Sequence, residues 1–354
     1  MASDLLAQSL ALYDDCRWEE AAAALAILLA EQPGNVTAWY RLGNVRGEQG
    51  RDDEALDCFE RAVALDPAHA KSWNNLGTAN QRLGREDEAL AAYRTAVDRD
   101  PELFEPYLNL GRLCADRGDL AGAARCLSAG LEHHPANPML VHLLAAASGD
   151  NSTHAPRDHV VAYFNDFAPD FDRQVVEKLG YDVPQALAEL VRPALGGQAR
   201  VLDLGCGTGL MGAAIAGPGI ELVGVDLSPR MLELAEKRGV YTELILSDIS
   251  EALAHAQPGS FRAVLAADVF IYIGDLAELF QGVARALKPG GLFGFSVQAI
   301  PQGSYRLQPS GRYSHNLAYV RRLAAVAGLK ELAMRSVSIR REKDAGHLLV
   351  LERL

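Results

Sequence analysis

Two hydrophobic periods divide this 354-residue chain. Through the first 147 residues, apolar positions return every three to four residues in short blocks punctuated by Gly and Pro, the pattern of packed amphipathic helices. From about residue 199 the pattern changes to brief, mostly apolar runs: ARVLDLGC, IELVGVDL, TELILSD, RAVLAADVF and GGLFGFSVQ. Runs of this kind suit strands buried on both faces of a parallel sheet. Helical stretches such as PRMLELAEKRG and LAELFQGVARALKPG lie between them. Strand–helix alternation predicts a doubly wound α/β domain that binds ligands at the carboxyl ends of its strands. Between the halves, SGDNSTHAPRD is polar and has no apolar period. Residues 148–158 therefore read as a linker joining a helical domain, 1–147, to an α/β domain, 159–354.

The helical half repeats itself. Pro33, Pro67, Pro101 and Pro135 are each 34 residues apart, a period that marks a helix–turn–helix solenoid. In the same register stand Trp39, Trp73 and Tyr107; Leu42, Leu76 and Leu110; Gly43, Gly77 and Gly111; Ala55, Ala89 and Ala123; and Phe59, Tyr93 and Leu127. Small residues let paired helices approach, the large ones fill the space between them, and each Pro stops a second helix. This half resembles the tetratricopeptide repeat, an α-solenoid. An atypical first unit covers about residues 2–34, and a last helix at 138–147 closes the stack. The resemblance implies a concave face carrying Tyr40, Asn44, Asn74, Thr78, Leu108 and Arg112, open to a peptide or protein segment. The alternative is an array that packs on its own catalytic domain or on a second copy, giving a homodimer.

Charge sharpens the division. Residues 1–150 hold 24 acidic against 13 basic side chains, whereas the remaining 204 hold 22 against 21. No basic surface emerges to displace phosphate counterions, which argues against nucleic acid. No run of 18 uncharged apolar residues suggests a membrane span, and the first residues lack the basic-then-apolar order of a signal peptide. The five cysteines form no CxxC pair, which fits reduced thiols in a cytoplasmic protein without disulfides or a metal site.

The chemistry gathers around Val201-Leu202-Asp203-Leu204-Gly205-Cys206-Gly207-Thr208-Gly209, a strand turning into a helix. Glycines there permit a tight turn and close backbone approach to a ligand. The spacing is GxGxG, where a dinucleotide loop would read GxGxxG, and an acid precedes the first glycine. With these features the half resembles the class I, Rossmann-like S-adenosylmethionine-dependent methyltransferases. The resemblance implies S-adenosylmethionine as donor and S-adenosylhomocysteine as product, held by Asp203, Gly205, Cys206, Gly207 and Gly209. It implies Asp226 on the ribose hydroxyls, Leu227 and Met231 against adenine, Asp248 on the adenine amino group, Ile249 along the ring, and Asp268 at the catalytic edge. The plainer alternative for a strand-end acid is a helix N-cap. Cys206 has no basic partner beside it in sequence and does not read as a nucleophile.

Upstream, Tyr163, Phe164, Phe167 and Phe171 have helical spacing. They form either an amphipathic helix on the sheet or, as in similar methyltransferases, a lid that excludes water. Ser310–His315 and DVFIYIGDL (268–276) resemble a bacterial subgroup of tetratricopeptide-repeat methyltransferases. The acceptor pocket is expected among Asp268, Tyr272, Gln298, Tyr313 and His315. His315, with an intrinsic pKa near neutrality, is the candidate base; its alternative is a helix-start residue bound to backbone. Asp268 competes as base or as an ordering residue. Positions 268–271 read DVFI, so the DPPY or NPPY motif for an amide or adenine nitrogen is absent. Three functions follow as expectations: methylation of an O, N, S or C atom on a peptide or protein recruited by the arm; methylation of a small molecule or carrier-bound intermediate, with the arm serving oligomerisation; and a non-catalytic cofactor-binding module.

Overall fold

The computed structural model describes residues 2–168, 171–178, 180–338 and 345–354. It divides into two compact units, Met1–Ser148 and Gly149–Leu354. The first is the solenoid, built of helix pairs α1 (Ala2–Asp14) and α2 (Trp18–Glu31), α3 (Val36–Glu48) and α4 (Asp52–Leu65), α5 (Ala70–Arg82) and α6 (Glu86–Arg99), and α7 (Glu105–Asp116) and α8 (Leu120–His133), closed by α9 (Pro138–Ser148). The recurring residues work as recurring parts. A Cβ on Gly43 would sit 2.5 Å from the Phe59 ring, one on Gly77 2.5 Å from Tyr93, and one on Gly111 2.6 Å from Leu127. Only glycine lets the two helices of a pair close over the large side chain. The register aromatics tie each pair to the preceding proline: Trp39 Nε1 donates to the Pro33 carbonyl at 2.9 Å, Trp73 Nε1 to Pro67 at 3.0 Å and the Tyr107 hydroxyl to Pro101 at 3.2 Å.

The positions expected to form an open groove are largely spent between neighbouring helices. Leu108 is 6% exposed and packs with Tyr107, Leu127 and Leu140, and Asn74 is 8% exposed; these two are corrections. An asparagine ladder accounts for the second: Asn75 donates to Asn44 at 2.8 Å, Asn74 to Asn75 at 3.0 Å and Asn109 to Asn74 at 3.0 Å. A buried amide must be paired, and successive repeats pair these with one another. Thr78 takes a hydrogen bond from Tyr93, Tyr40 packs on Phe59 and His69, and the Arg112 guanidinium lies 3.6 Å from the Met139 sulfur.

In the second unit, helices α10 (Arg157–Phe167), α11 (Val183–Leu195), α12 (Leu210–Ile215), α13 (Pro229–Arg238), α14 (Ile249–His255), α15 (Ala277–Ala286) and α16 (Leu317–Val326) accompany strands β1 (Ala199–Leu204), β2 (Ile220–Asp226), β3 (Glu243–Leu246), β4 (Phe261–Ala266), β5 (Leu287–Gln298), β6 (Tyr305–Leu307), β7 (Tyr313–His315), β8 (Leu329–Ser338) and β9 (Ala345–Arg353). Seven strands form one sheet in the order β3-β2-β1-β4-β5-β9-β8. The first five neighbours are parallel, and β9 is antiparallel to both β5 and β8. Alternate residues feed two cores: Leu202, Leu204, Val264 and Ala266 pack with α14, α15 and α16, while Val201, Ala263 and Leu265 pack with α11 and α12. The order reverses between β1 and β4, and that is where a doubly wound sheet opens its crevice.

Residues 149–158 are not a free linker. Thr153 accepts backbone bonds from Gly274 at 2.7 Å and Asp275 at 3.1 Å, and Ala155 donates to the Tyr272 carbonyl at 2.9 Å. Asn151 bonds Tyr305 and Leu307, and the Ser152 hydroxyl lies 2.7 Å from that of Tyr313. The polar, period-free composition that reads as a linker supplies the partners that a docked loop backbone requires.

Candidate active site

The crevice is built from loops that leave β1, β2, β3 and β4. Gly205, Gly207 and Gly209 all have positive φ, 63°, 55° and 91°, so the turn into α12 can be made only by residues tolerant of that region. Gly205 must also lie flat against the loop that follows β4, since a Cβ there would meet the Val269 side chain at 2.6 Å. Gly207 faces open space and lines, with Gly205, a cavity of about 790 Å³. Asp226, at the end of β2, accepts from the Gly207 amide at 2.9 Å and from the Ser228 amide at 2.8 Å. One donor per oxygen leaves lone pairs on both. Burial lifts its carboxyl above the ordinary value, against the pull of those backbone donors. Leu227, Asp248 and Ile249 line the same wall, and Asp248 also caps α14, accepting from the Ser250 amide at 2.7 Å.

Four expected cofactor residues lie elsewhere. Asp203, 1% exposed, points behind the loop, where one oxygen accepts from the Tyr241 hydroxyl at 2.6 Å and the other, Oδ1, has no hydrogen-bond partner. Burial raises its carboxyl to about 7. The strand pleat dictates this placement, because Asp203 shares its face with Val201 and not with the crevice. Cys206 is buried, with its sulfur beneath the loop toward Gly224, and burial holds its thiol well above the ordinary value. Gly209 packs toward Arg238 and Tyr241. Met231, 1% exposed, is drawn into the interior as its amide bonds the capping hydroxyl of Ser228. None of the four lines the cavity.

Over the crevice lies an aromatic roof. Tyr163, Phe164, Phe167 and Phe171 all line the cavity, and ring centroids are 5.3 Å apart for Tyr163–Phe164, 5.6 Å for Tyr163–Phe167 and 5.5 Å for Phe167–Phe171. Phe164 meets Tyr272 edge-on at 5.4 Å. Pro169 and Asp170, within the expected lid, lie outside the described residues. Two polar latches hold the roof to the cofactor loops. Ser228 donates to Asn165 at 2.7 Å, and Asp172 accepts from the Thr208 hydroxyl at 2.6 Å and from the Arg238 guanidinium.

At the far end stand Asp268, Tyr272, Tyr181 and Arg312. Asp268 has φ 58°, an uncommon backbone state for a side-chain-bearing residue. Its amide donates to Ser296 Oγ at 2.7 Å and its Oδ1 accepts from the same hydroxyl at 3.2 Å. His315 is not there. It is fully buried, its Nε2 donates to the carbonyls of Ile273 and Gly274 at 2.9 and 3.0 Å, and burial drives its pKa down to about 4. The imidazole struts the 273–274 loop, so its role as base is a correction. Tyr313 is buried in the small β6–β7 ladder, its hydroxyl against Ser152. Gln298 stays in the β5–β9 ladder opposite Gly346. Neither lines the cavity.

The family model of a methyltransferase domain matches residues 201–291, and models of the tetratricopeptide repeat match 6–67, 40–104 and 82–147. A ubiquinone biosynthesis O-methyltransferase of Xanthomonas campestris is 32% identical over 163 residues, which is 42% of this chain and 67% of that protein. The chain belongs to the class I S-adenosylmethionine-dependent methyltransferases. Methyltransferase-like protein 27 of Homo sapiens is 36% identical over 37% of this chain, which spans 54% of that protein's length. Among solved structures it is similar to Burkholderia thailandensis 1,6-didemethyltoxoflavin-N1-methyltransferase, at 20% identity and TM-score 0.46, over 58% of this chain and 92% of the other.

The sequence patterns assign no role to Tyr181, Arg312, Asn165, Asp172 or Tyr241. Each depends on a partner far along the chain: Asp172 on Thr208, Tyr241 on Asp203 and Asn165 on Ser228. A usable signal existed for Asp172 alone, which follows the aromatic Phe171 directly. Among the described residues no group of three or more His, Cys, Asp or Glu could hold a metal ion, and no helix is long and apolar enough to cross a membrane.

Proposed function

We propose that this chain transfers the methyl group of S-adenosylmethionine to an oxygen atom of a small organic acceptor bound beneath the aromatic roof. One observation carries the reading: a side-chain-free glycine wall, the strand-end acid Asp226 and the apolar pair Leu227 and Ile249 all border one cavity closed over by Tyr163, Phe164, Phe167 and Phe171. A cavity of about 790 Å³ is in the upper part of the range for small-ligand sites, roughly 300–1,000 Å³, and suits donor and acceptor side by side. The donor, when bound, supplies a methyl carbon already activated by its positive sulfur. Gly205 and Gly207 offer backbone to it, Asp226 accepts from the ribose hydroxyls, and Asp248 accepts from the adenine amino group between the apolar walls of Leu227 and Ile249. The roof excludes water and fixes the approach of the acceptor, which is most of what such a displacement requires. The curated relatives named as O-methyltransferases support an oxygen acceptor.

The repeat array supports a separate role, as a seat for a peptide or protein segment or for a second copy; the enclosed cavity favours a small acceptor over a protein one. Two measurements test the reading. Calorimetry with S-adenosylhomocysteine should show binding that Asp226→Ala weakens at least about tenfold, the worth of a hydrogen bond to a charged group. Methyl-labelled donor added to cell extract should send label into the small-molecule fraction. Unchanged affinity in the variant, or label confined to protein, would overturn it.

A further inference from the structure

Among the described residues, the one imidazole that lines the cavity is that of His154, which is exposed and bonded to Thr153 Oγ1 at 2.9 Å. The acceptor end has instead a pair of unusual character. Tyr272 is held in a short 3-10 turn, Phe270–Tyr272, and its carbonyl accepts from the Ala155 amide at 2.9 Å. The Arg312 guanidinium, from the loop between β6 and β7, faces Tyr272, and its positive charge favours negative charge on the hydroxyl. Both residues line the cavity. A fixed positive charge beside the phenolic oxygen also favours an anionic ligand oxygen at the same place. Among the described residues the lining has one other arginine, Arg157, and that side chain is exposed and paired with Glu251 at 3.3 Å.

Resting on the methyl-transfer reading above, we infer that the acceptor is an aromatic oxyanion, a carboxylate or an ionised phenol, whose reacting oxygen is bound by the Tyr272 hydroxyl backed by Arg312. Tyr272 then touches the reacting atom, and Arg312 acts on it through Tyr272. The oxygen forms the new bond to the methyl carbon while the electron pair of the breaking carbon–sulfur bond stays on sulfur. The incoming negative and positive charges cancel, no proton remains to be removed, and the site needs no general base. A dry cavity favours such charge cancellation more than water does. The groups facing Tyr272 set the balance. Arg312 favours negative charge beside it; Tyr163 and Asp268 oppose, and Asp268 is itself held by Ser296. The flat apolar part of the acceptor would lie against Phe164, Phe167 and Phe171, where Phe171 packs tilted on Phe164 and edge to face with Phe167.

The test uses the full chain with 4-nitrophenol, which absorbs visibly only when ionised, in the presence of S-adenosylhomocysteine. The bound probe should ionise at a pH lower by about one unit than in buffer, a tenfold change in the ionised fraction, as a nearby opposite charge produces. Arg312→Gln should abolish the shift and Arg312→Lys should retain part of it. Tyr272→Phe should abolish it too, while homocysteine-product affinity, measured separately by calorimetry, stays near wild type in all three. No binding of the probe at millimolar concentration, binding in the neutral form, or an equal shift in Arg312→Gln would overturn the inference. Failure of the product to bind would instead strike the donor reading, so the two are told apart.

Discussion

Two buried titratable side chains give this protein opposed responses to pH. His315, its pKa lowered to about 4, refuses the proton that the unfolded chain accepts below the ordinary value of 6.5, so its contribution to stability is lost as pH falls from 6.5 toward 4. Asp203, raised to about 7, keeps a proton that the unfolded chain has released, so stability is lost as pH rises from its ordinary 3.8 through 7. Asp203→Asn should therefore melt above wild type by a margin that widens from pH 5 to pH 8, followed by thermal unfolding; a margin independent of pH would refute the assignment. His315→Ala leaves the buried carbonyls of Ile273 and Gly274 without a donor and should cost about 1–3 kcal/mol of stability. Its kcat–pH profile should keep the wild-type shape, whereas a catalytic base would delete one limb.

At the scale of elements, legibility followed range. The 34-residue register exposed the solenoid because each repeat packs on its neighbour, and the glycine bend with Asp226 was readable because strand ends impose fixed spacings. The roof's rings were visible as helical spacing, but their latches were not, since Asp172 and Thr208 meet only through the fold. His315 misled because a lone histidine near a helix start looks the same whether it faces a cavity or a pair of carbonyls. Inside the solenoid, Gly77→Ala would drive a methyl group to 2.5 Å from the Tyr93 ring. Overpacking of that kind should cost about 1–3 kcal/mol in denaturant unfolding of the repeats. Gly34→Ala is the control, because a Cβ there meets nothing within 4 Å; equal losses in both would rule out the packing explanation.

For the molecule as a whole, every cavity-lining residue falls between Thr153 and Arg312, inside the second unit. A chain starting at residue 149 should bind S-adenosylhomocysteine within about twofold of full length, as expected of independent sites. One starting at 159 loses Thr153, His154, Ala155 and Arg157 from the wall, together with the bonds to 272–275, and calorimetry should find it much weaker. The interior position of β9 also governs the order of assembly. β8 is synthesised first, yet it reaches the sheet only through β9, which must thread its register against β5, Leu292 opposite Glu352. The repeats can form stepwise from local contacts as they emerge, but the sheet waits for a distant partner. Removing residues 345–354 would thus cost the fold two strands, with β8 left lacking a neighbour.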